Sequence, residues 1–210
     1  MRIETIFTDI GGVILTNGWD REARKKAVEN FQLDPKEFEE RHKEVVDDLE
    51  SGVLTLDSYL KHVVFHKSRN FGVHDFQEFM YNCSQPYDSM LNFLKEAKEK
   101  LGCRVAALSN EGKELGHYRI EKFNLKEIID YFIVSGFVGF AKPDERIFKL
   151  AINISQSLPN QIVYIDDRPK LIDAGKRMGL NTILHHSESD TRSALEAMTG
   201  CKIGARAVVG

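Results

Sequence analysis

From Pro86 onward the chain alternates strictly between helical and strand-like segments, and this alternation leaves few folds open to it. A helical stretch from Ser89 to Leu101 leads to the strand-like run Arg104–Leu108, and a second one from Glu114 to Phe123 leads to Tyr131–Ser135. Asp144 to Ile154 then precedes Ile162–Ile165, and Lys170 to Met178 precedes Asn181–Leu184. Short strands rich in Val and Ile, each joined to the next through a helix, imply parallel pairing with helices on both faces of a sheet. The apolar run Ile3 to Thr8 adds a further strand at the start, closed by Asp9 and the turn-forming pair Gly11-Gly12.

Between these parts the pattern differs. Segments 21–31, 35–50, 55–67 and 75–82 are charged and carry apolar residues such as Phe38, Val45, Val46 and Leu49 at helical spacing. Breaks fall at Asp34-Pro35, Ser51-Gly52 and Asn70-Phe71-Gly72, and Thr55 or Asp57 is placed to cap the third helix. The expected architecture is therefore α/β: a Rossmann-like parallel-sheet core from residues 1–16 and 86–200, with an all-helical insertion over residues 17–85 after the first strand. Residues 201–210 are expected to form a loose C-terminal tail.

Parallel open sheets place ligands beyond the carboxyl ends of their strands. In chain order those ends carry Asp9, Ser109-Asn110, a loop holding Lys142-Pro143, and Asp166-Asp167. Each is unremarkable alone, since Asp and Ser commonly cap helices and a loop lysine is usually solvated. Together they put three carboxylates, a hydroxyl and a cation on one rim. Such carboxylates repel one another unless a cation holds them, and hard oxygen donors suit magnesium. A lysine and a serine beside them suit a phosphoryl group, which a neighbouring carboxylate can attack. Phosphoryl transfer to an aspartate, then to water, is the chemistry these residue types imply.

Composition excludes other classes. Lys and Arg (29) nearly balance Asp and Glu (32), so no basic surface argues for nucleic acid or an anionic membrane as partner. Three widely spaced cysteines without a CxxC pair fit a reduced, cytoplasmic protein with neither a disulfide framework nor a structural zinc site. The N-terminal apolar run is too short for a signal-peptide core, and no stretch reaches the ~18 apolar residues of a membrane span. The seven histidines show no HExxH spacing, with His185-His186 reading as a loop, and no GxGxxG follows a strand. Phe71, Phe76 and Phe79 read as the core of the helical insertion.

The motifs as a set resemble those of the haloacid dehalogenase superfamily, over about residues 1–200. The first is Phe7-Thr8-Asp9-Ile10-Gly11-Gly12-Val13, the second Ala107-Leu108-Ser109-Asn110, the third Ala141-Lys142-Pro143-Asp144, and the fourth Tyr164-Ile165-Asp166-Asp167. The helical insertion is similar to the C1-type cap of that family. The resemblance implies Asp9 as nucleophile and Mg2+ ligand, with the Gly11 carbonyl and Asp167 as further ligands and Asp166 reaching the ion directly or through water. It implies Ser109 and Lys142 as catalytic residues that hold the phosphoryl group and orient Asp9, with Gly11, Gly12 and Asn110 lining the phosphate site. The expected activity is magnesium-dependent hydrolysis of a small phosphorylated metabolite. The alternatives are a weakly active or non-catalytic phospho-ligand binder and a metal-independent dehalogenase. The resemblance sets no oligomeric state.

One position departs from the pattern. Family phosphatases carry a second aspartate two residues after the nucleophile, as acid for the leaving group and base for water, and here that position is Gly11. General acid–base help contributes about 10²–10⁴-fold. Either the substrate has a good leaving group, or another residue (Asp20, Glu111, His42, His62 or His66) supplies the proton, or turnover is weak. Trp19, the only tryptophan, is expected to pack the insertion against the core, with stacking on a substrate as the alternative. Arg21 and Arg41 are expected to be solvated rather than to meet a distal anion.

Overall fold

The computed structural model of the chain describes residues 2–204. Five strands form one parallel sheet: β1 (Thr5–Thr8), β2 (Arg104–Ser109), β3 (Tyr131–Val134), β4 (Ile162–Asp166) and β5 (Asn181–Leu184). Their order is β3-β2-β1-β4-β5, so the first strand is central and the chain builds outward from it twice, first on one side and then on the other. Thr8 is in register with Ala107 of β2 and Ile165 of β4. Asp9, Ser109 and Asp166 therefore emerge side by side at the point where the winding direction reverses, the place where open sheets bind ligands.

The helices are α1 (Arg21–Asn30), α2 (Pro35–Glu50), α3 (Leu56–Val63), α4 (Val73–Asn82), α5 (Asp88–Leu101), α6 (Lys113–Lys122), α7 (Ser135–Val138), α8 (Glu145–Ser155), α9 (Pro169–Arg177) and α10 (Glu188–Thr199). Two apolar clusters cover the two faces of the sheet. One gathers Ile6, Ile14, Phe93, Val105 and Val163; the other gathers Phe7, Leu108, Phe148 and Tyr164. Successive residues of β1, Ile6 and Phe7, enter opposite clusters, as the alternating side chains of a strand buried on both faces require.

Helices α1 to α4 close on a third cluster of their own, built on Phe38, Tyr59, Leu60, Phe76 and Met80. Their starts follow ordinary capping chemistry: Asp20, Asp34 and Thr55 each accept a backbone N–H of the first turn, and Pro35 sits where no amide partner is needed. Thr55 rather than Asp57 is the cap of α3. The chain crosses into this helical block after Leu15 and returns at Gln85-Pro86, where Thr16 N–H bonds Gln85 O at 2.8 Å.

The C-terminal end holds one element that the sequence pattern does not announce and one corrected expectation. Residues 188–199 form α10, a helix that the weak apolar pattern of ESDTRSALEAMT hides, and it buries Leu195 against the sheet. The stretch expected to be a loose tail begins docked: Ile203 is buried, its N–H bonds Glu196 at 2.7 Å, and Arg192 holds its carbonyl. Residues 205–210 lie outside the described part. Among the described residues no helix is long and apolar enough to cross a membrane.

Candidate active site

Asp9 stands one residue beyond the central strand, 6% exposed, its N–H bonded to Ile165 O at 2.9 Å. Its Oδ1 accepts the N–H of Ile10 at 2.8 Å and lies 3.3 Å from Lys142 Nζ. Burial pushes the Asp9 carboxyl above the usual aspartate range; Lys142 opposes the shift, Asp166 adds to it, and the Ser109 hydroxyl opposes it again.

Lys142 is fully enclosed and shared. It bonds Asp166 Oδ2 at 2.7 Å while it faces Asp9. Asp166 has partners on both oxygens: the Tyr164 hydroxyl also donates to Oδ2, and Arg168 N–H donates to Oδ1 at 2.9 Å. Asp167 differs, because its Oδ1 is buried and has no partner. Burial, with Asp166 adding, raises its carboxyl as well. The three carboxylates Asp9, Asp166 and Asp167 can each present an oxygen within 4.8 Å of the others'. The donors are all hard oxygens, one of them unpartnered, which fits a magnesium-sized cation rather than a soft metal.

Glycine chemistry shapes the loop between β1 and the helical block. Gly12 has φ +76°, and a Cβ there would run into the Asp167 carboxylate, so the position is closed to side chains on two counts. At Gly11 a Cβ would lie 3.1 Å from Asn17 Oδ1 and 3.6 Å from Arg119 Nη1. The space for a residue-11 side chain thus exists but is flanked by an amide and a guanidinium.

A cleft with about 800 Å³ of empty space runs from Asp9 and Ser109 up to the helical block. The core end offers Gly11, Asn110, Glu111 and Arg119, and the far wall offers Val46, Leu49, Leu56, Met80 and Trp19. Asn110 lines it but has both side-chain groups on Lys142: Nδ2 donates to Lys142 O at 2.8 Å and Oδ1 accepts Lys142 N–H at 2.7 Å. It fixes the lysine loop from its place on the cleft.

The alternative proton donors sort clearly. His42 is buried inside the helical block against Tyr59, His62 pairs with Glu44, and His66 pairs with Glu37; none lines the cleft. Asp20 lines it, although one oxygen is committed to capping α1. Glu111 lines it, buried, with Oε1 bonded to Arg119 Nη1. Trp19 packs edge-on to Phe38 and Phe76 and donates to Tyr59 Oη at 2.8 Å, so it belongs to the helical block's own core while one part of it lines the cleft. Arg21 is exposed, and Arg41 bonds His62 O outside the cleft.

Sequence reasoning missed Arg119 and Glu50. Arg119 is 1% exposed and donates to Ser84 Oγ at 3.0 Å, to Thr16 O and to Glu111. Its signal was its spacing: with Gly116 and Ile120 it falls on the buried face of α6, where an arginine needs a specific partner. Glu50, at the end of α2, also lines the cleft, and burial raises its carboxyl above the usual range.

Comparison with known proteins agrees with this geometry. A family model for haloacid dehalogenase-like hydrolases matches residues 3–179. The bifunctional epoxide hydrolase 2 of Sus scrofa is 33% identical over 79 residues, 38% of this chain and 14% of that protein. The phosphorylated carbohydrates phosphatase of Thermotoga maritima is 27% identical over 109 residues, 51% of this chain and 49% of that protein. The chain thus matches half or less of the length of these relatives. Among solved structures, a HAD family enzyme from Bacteroides thetaiotaomicron superposes with a TM-score of 0.78 at 18% identity, covering 93% of this chain and 99% of that one. The same enzyme in complex with magnesium and inorganic phosphate gives 0.72 at 19% identity, over 88% and 94%. The L-2-haloacid dehalogenase PA0810 gives 0.63 at 18%, over 86% and 82%. At these identities the structural likeness speaks for the fold alone.

Proposed function

Because the chain belongs to the haloacid dehalogenase-like hydrolases, we propose that it is a magnesium-dependent phosphatase that hydrolyses a small phosphorylated metabolite, a sugar phosphate among the eligible substrates, through an aspartyl-phosphate on Asp9. The observation that carries this reading is the gathering of Asp9, Asp166 and Asp167 around Lys142, with one Asp167 oxygen left without a partner. Buried oxygens are mostly paired, so a bare one beside two further carboxylates is a place for a cation.

In this reading Asp9, the Gly11 carbonyl and Asp167 hold Mg2+, with Asp166 reaching it directly or through water. When bound, the ion offsets the repulsion among the carboxylates and polarises the phosphoryl oxygens. Asp9 attacks phosphorus. Lys142 keeps its carboxylate ionised against the pull of burial and offsets charge on the phosphoryl group. The Ser109 hydroxyl and backbone N–H groups near Gly11 and Gly12 receive phosphoryl oxygens. Asn110 holds the Lys142 loop in place. The helical block acts as a cap, its apolar wall covering the leaving group and excluding water. The balanced charge favours a small-molecule partner over nucleic acid or membrane, and the reduced cysteines favour the cytoplasm.

Two other readings have support of their own. Solved dehalogenases share the fold; there Asp9 would attack carbon, but that route gives the unpartnered Asp167 oxygen nothing to do. Gly11 supports a weakly active or non-catalytic phospho-ligand binder. Turnover of a phosphoester panel with and without magnesium, for the native protein and Asp9→Asn, separates them. The phosphatase reading expects turnover that needs both magnesium and Asp9. Metal-independent release of halide from a 2-haloacid supports the dehalogenase, and phosphate binding without turnover supports the binder.

A further inference from the structure

Resting on the phosphatase reading, we propose that Glu111 is the proton-transfer residue of this site, giving a proton to the leaving oxygen and recovering one from the attacking water. It would do the work of the side chain absent at Gly11. Four observations lead there. The position of a residue-11 Cβ lies 3.6 Å from Arg119 Nη1, and that same nitrogen donates to Glu111 Oε1, so the root of the missing side chain and the Glu111 carboxyl border one guanidinium nitrogen. Glu111 and Asp9 line the same cleft. Glu111 is only 6% exposed, and its Oε2 is buried with no partner. Finally, the residue is held on every other side. Its N–H bonds Ser135 Oγ at 2.9 Å, and its carbonyl accepts from Gly136 N–H at 3.0 Å and from Ser135 Oγ at 3.2 Å.

Position 136 shows how tight this hold is. A Cβ at Gly136 would come within 2.7 Å of Glu111 O and 2.5 Å of Lys113 N, so only glycine allows the close approach. Arg119 is in turn tied to Thr16 O and Ser84 Oγ, at the two points where the chain crosses to the helical block and back. Everything about Glu111 is fixed except one oxygen. The other acids on the cleft are less suited: Asp20 caps α1, Glu50 comes from the opposite, helical side, and Glu114, whose Oε2 is also without a partner, is less buried, lies a further turn from the strand end and is tied to Leu56 N–H of the helical block at 3.1 Å.

The electrostatics are compatible. Burial raises the Glu111 carboxyl above the usual range, Arg119 is the largest opposing influence, Asp9 adds to the rise and Lys142 opposes it. Glu50 also faces this region, and its own rise includes a contribution from Glu111. A carboxyl so placed can be protonated at substrate binding and ionised afterwards.

The steps balance. As Asp9 forms its bond to phosphorus, the bond from phosphorus to the ester oxygen breaks, and Glu111 Oε2 protonates that oxygen to give the alcohol. Water then attacks phosphorus, the bond to Asp9 breaks, and Glu111 takes the water's proton. Asp9 returns as carboxylate and Glu111 as the acid, with phosphate released.

The test uses leaving groups of graded basicity: a set of hexose and polyol phosphates, p-nitrophenyl phosphate and acetyl phosphate, each with magnesium. Glu111→Gln should lower kcat/KM, which reports transfer to Asp9, by about 10²–10⁴-fold on the alkyl esters and by less than about tenfold on acetyl phosphate, while kcat, which includes the shared hydrolysis step, falls on all of them. It should also remove the limb of the alkyl-ester pH profile that falls at high pH, and adding Gly11→Asp to it should recover alkyl-ester turnover. An equal loss of kcat/KM on all three classes, or no loss on the alkyl esters, would mean that Glu111 is only the counter-ion of Arg119. Should Glu111→Gln fail to fold, the native enzyme decides. A weak dependence of kcat/KM on leaving group supports proton donation, and a fall of more than about 10³ from p-nitrophenyl to alkyl phosphate overturns it. Failure of the phosphatase reading itself looks different: no phosphate compound, acetyl phosphate included, is turned over in an Asp9-dependent way.

Discussion

The rim of the sheet and the helical block bury opposite things. The rim encloses charge: Asp9, Asp166, Lys142, Glu111 and Arg119 are all nearly inaccessible, and each owes its place to an oppositely charged neighbour. The helical block encloses rings: Trp19, Phe31, Phe38, Tyr59, Phe71 and Phe76 stack or meet edge-on, and its one buried histidine is held by a tyrosine hydroxyl, not a carboxylate. Buried charge is expensive unless it serves chemistry, whereas aromatic packing serves cohesion and shape. The cleft lies where the two meet, with reactive groups on one wall and apolar cover on the other. Substitutions on the rim should therefore change the chemical step, and those in the block should change fit and stability.

The sharpest contrast is Asp9→Asn. The change keeps the size of the side chain and removes the proposed nucleophile, so kcat should fall by roughly 10⁴-fold or more with little change in melting temperature. Residual turnover above that level would put the nucleophile elsewhere. Next comes Lys142→Ala. It strips the shared counter-charge from two buried carboxylates and should destabilise the fold by about 3–5 kcal/mol. Without the lysine, the Asp9 carboxyl, already raised by burial, would take up its proton at still higher pH in the folded state. A carboxyl whose folded pKa is raised loses stabilisation as pH rises, so the deficit should be larger at pH 8 than at pH 5 in urea melts. A deficit independent of pH would show that packing, not charge, is what the lysine provides.

This contrast also explains what the sequence made legible. The sheet, its parallel sense and the four motif positions could be read because each rests on local pattern: apolar runs of strand length, periodic helices, polar residues at strand ends. Asp9, Ser109, Lys142, Asp166 and Asp167 do converge as those ends predict. The Glu111–Arg119 pair was half hidden. Glu111 lies next to a motif, but Arg119 is ten residues after Ser109 in a helix whose apolar face it interrupts, and its partners Thr16 and Ser84 are distant in sequence. The histidines failed as candidates for a related reason. Helical spacing indicates which face a residue shares, not whether that face looks toward the cleft or into the block's own core.

Within the block, Trp19→Ala should have an intermediate effect. It removes a half-buried indole, its edge contacts with Phe38 and Phe76, and its hydrogen bond to Tyr59. A loss of about 2–3 kcal/mol in stability is expected, below the range for a fully buried tryptophan. Because Trp19 also lines the cleft, KM should rise more than kcat falls. A fall in kcat with KM unchanged would instead give the block a part in the chemical step, and would blur the division drawn above.

The smallest effect tests whether the block truly avoids charge. His42 is 5% exposed and its Nδ1 lies 2.8 Å from Tyr59 Oη, which also accepts from Trp19 Nε1 at 2.8 Å. The tyrosine oxygen, accepting from Trp19, keeps its own hydrogen free to donate to a neutral imidazole whose Nδ1 is the acceptor. Burial, with the charge on nearby Arg24 adding, holds the His42 pKa down to about 4, against 6.5 for the free side chain. Between those values the unfolded chain binds a proton that the folded chain refuses, so stability falls as pH drops from 6.5 toward 4 and is unaffected above that window. After allowing for solvent screening, the loss attributable to this residue should be about 1–2 kcal/mol. Denaturant midpoints at pH 4.5 and 7.5 measure it, with His42→Gln as the control that keeps an acceptor but cannot titrate. The native chain should lose more on acidification than the variant. Parallel losses would mean that the histidine already carries its proton in the folded block, and the line between a charged rim and a neutral block would have to be redrawn.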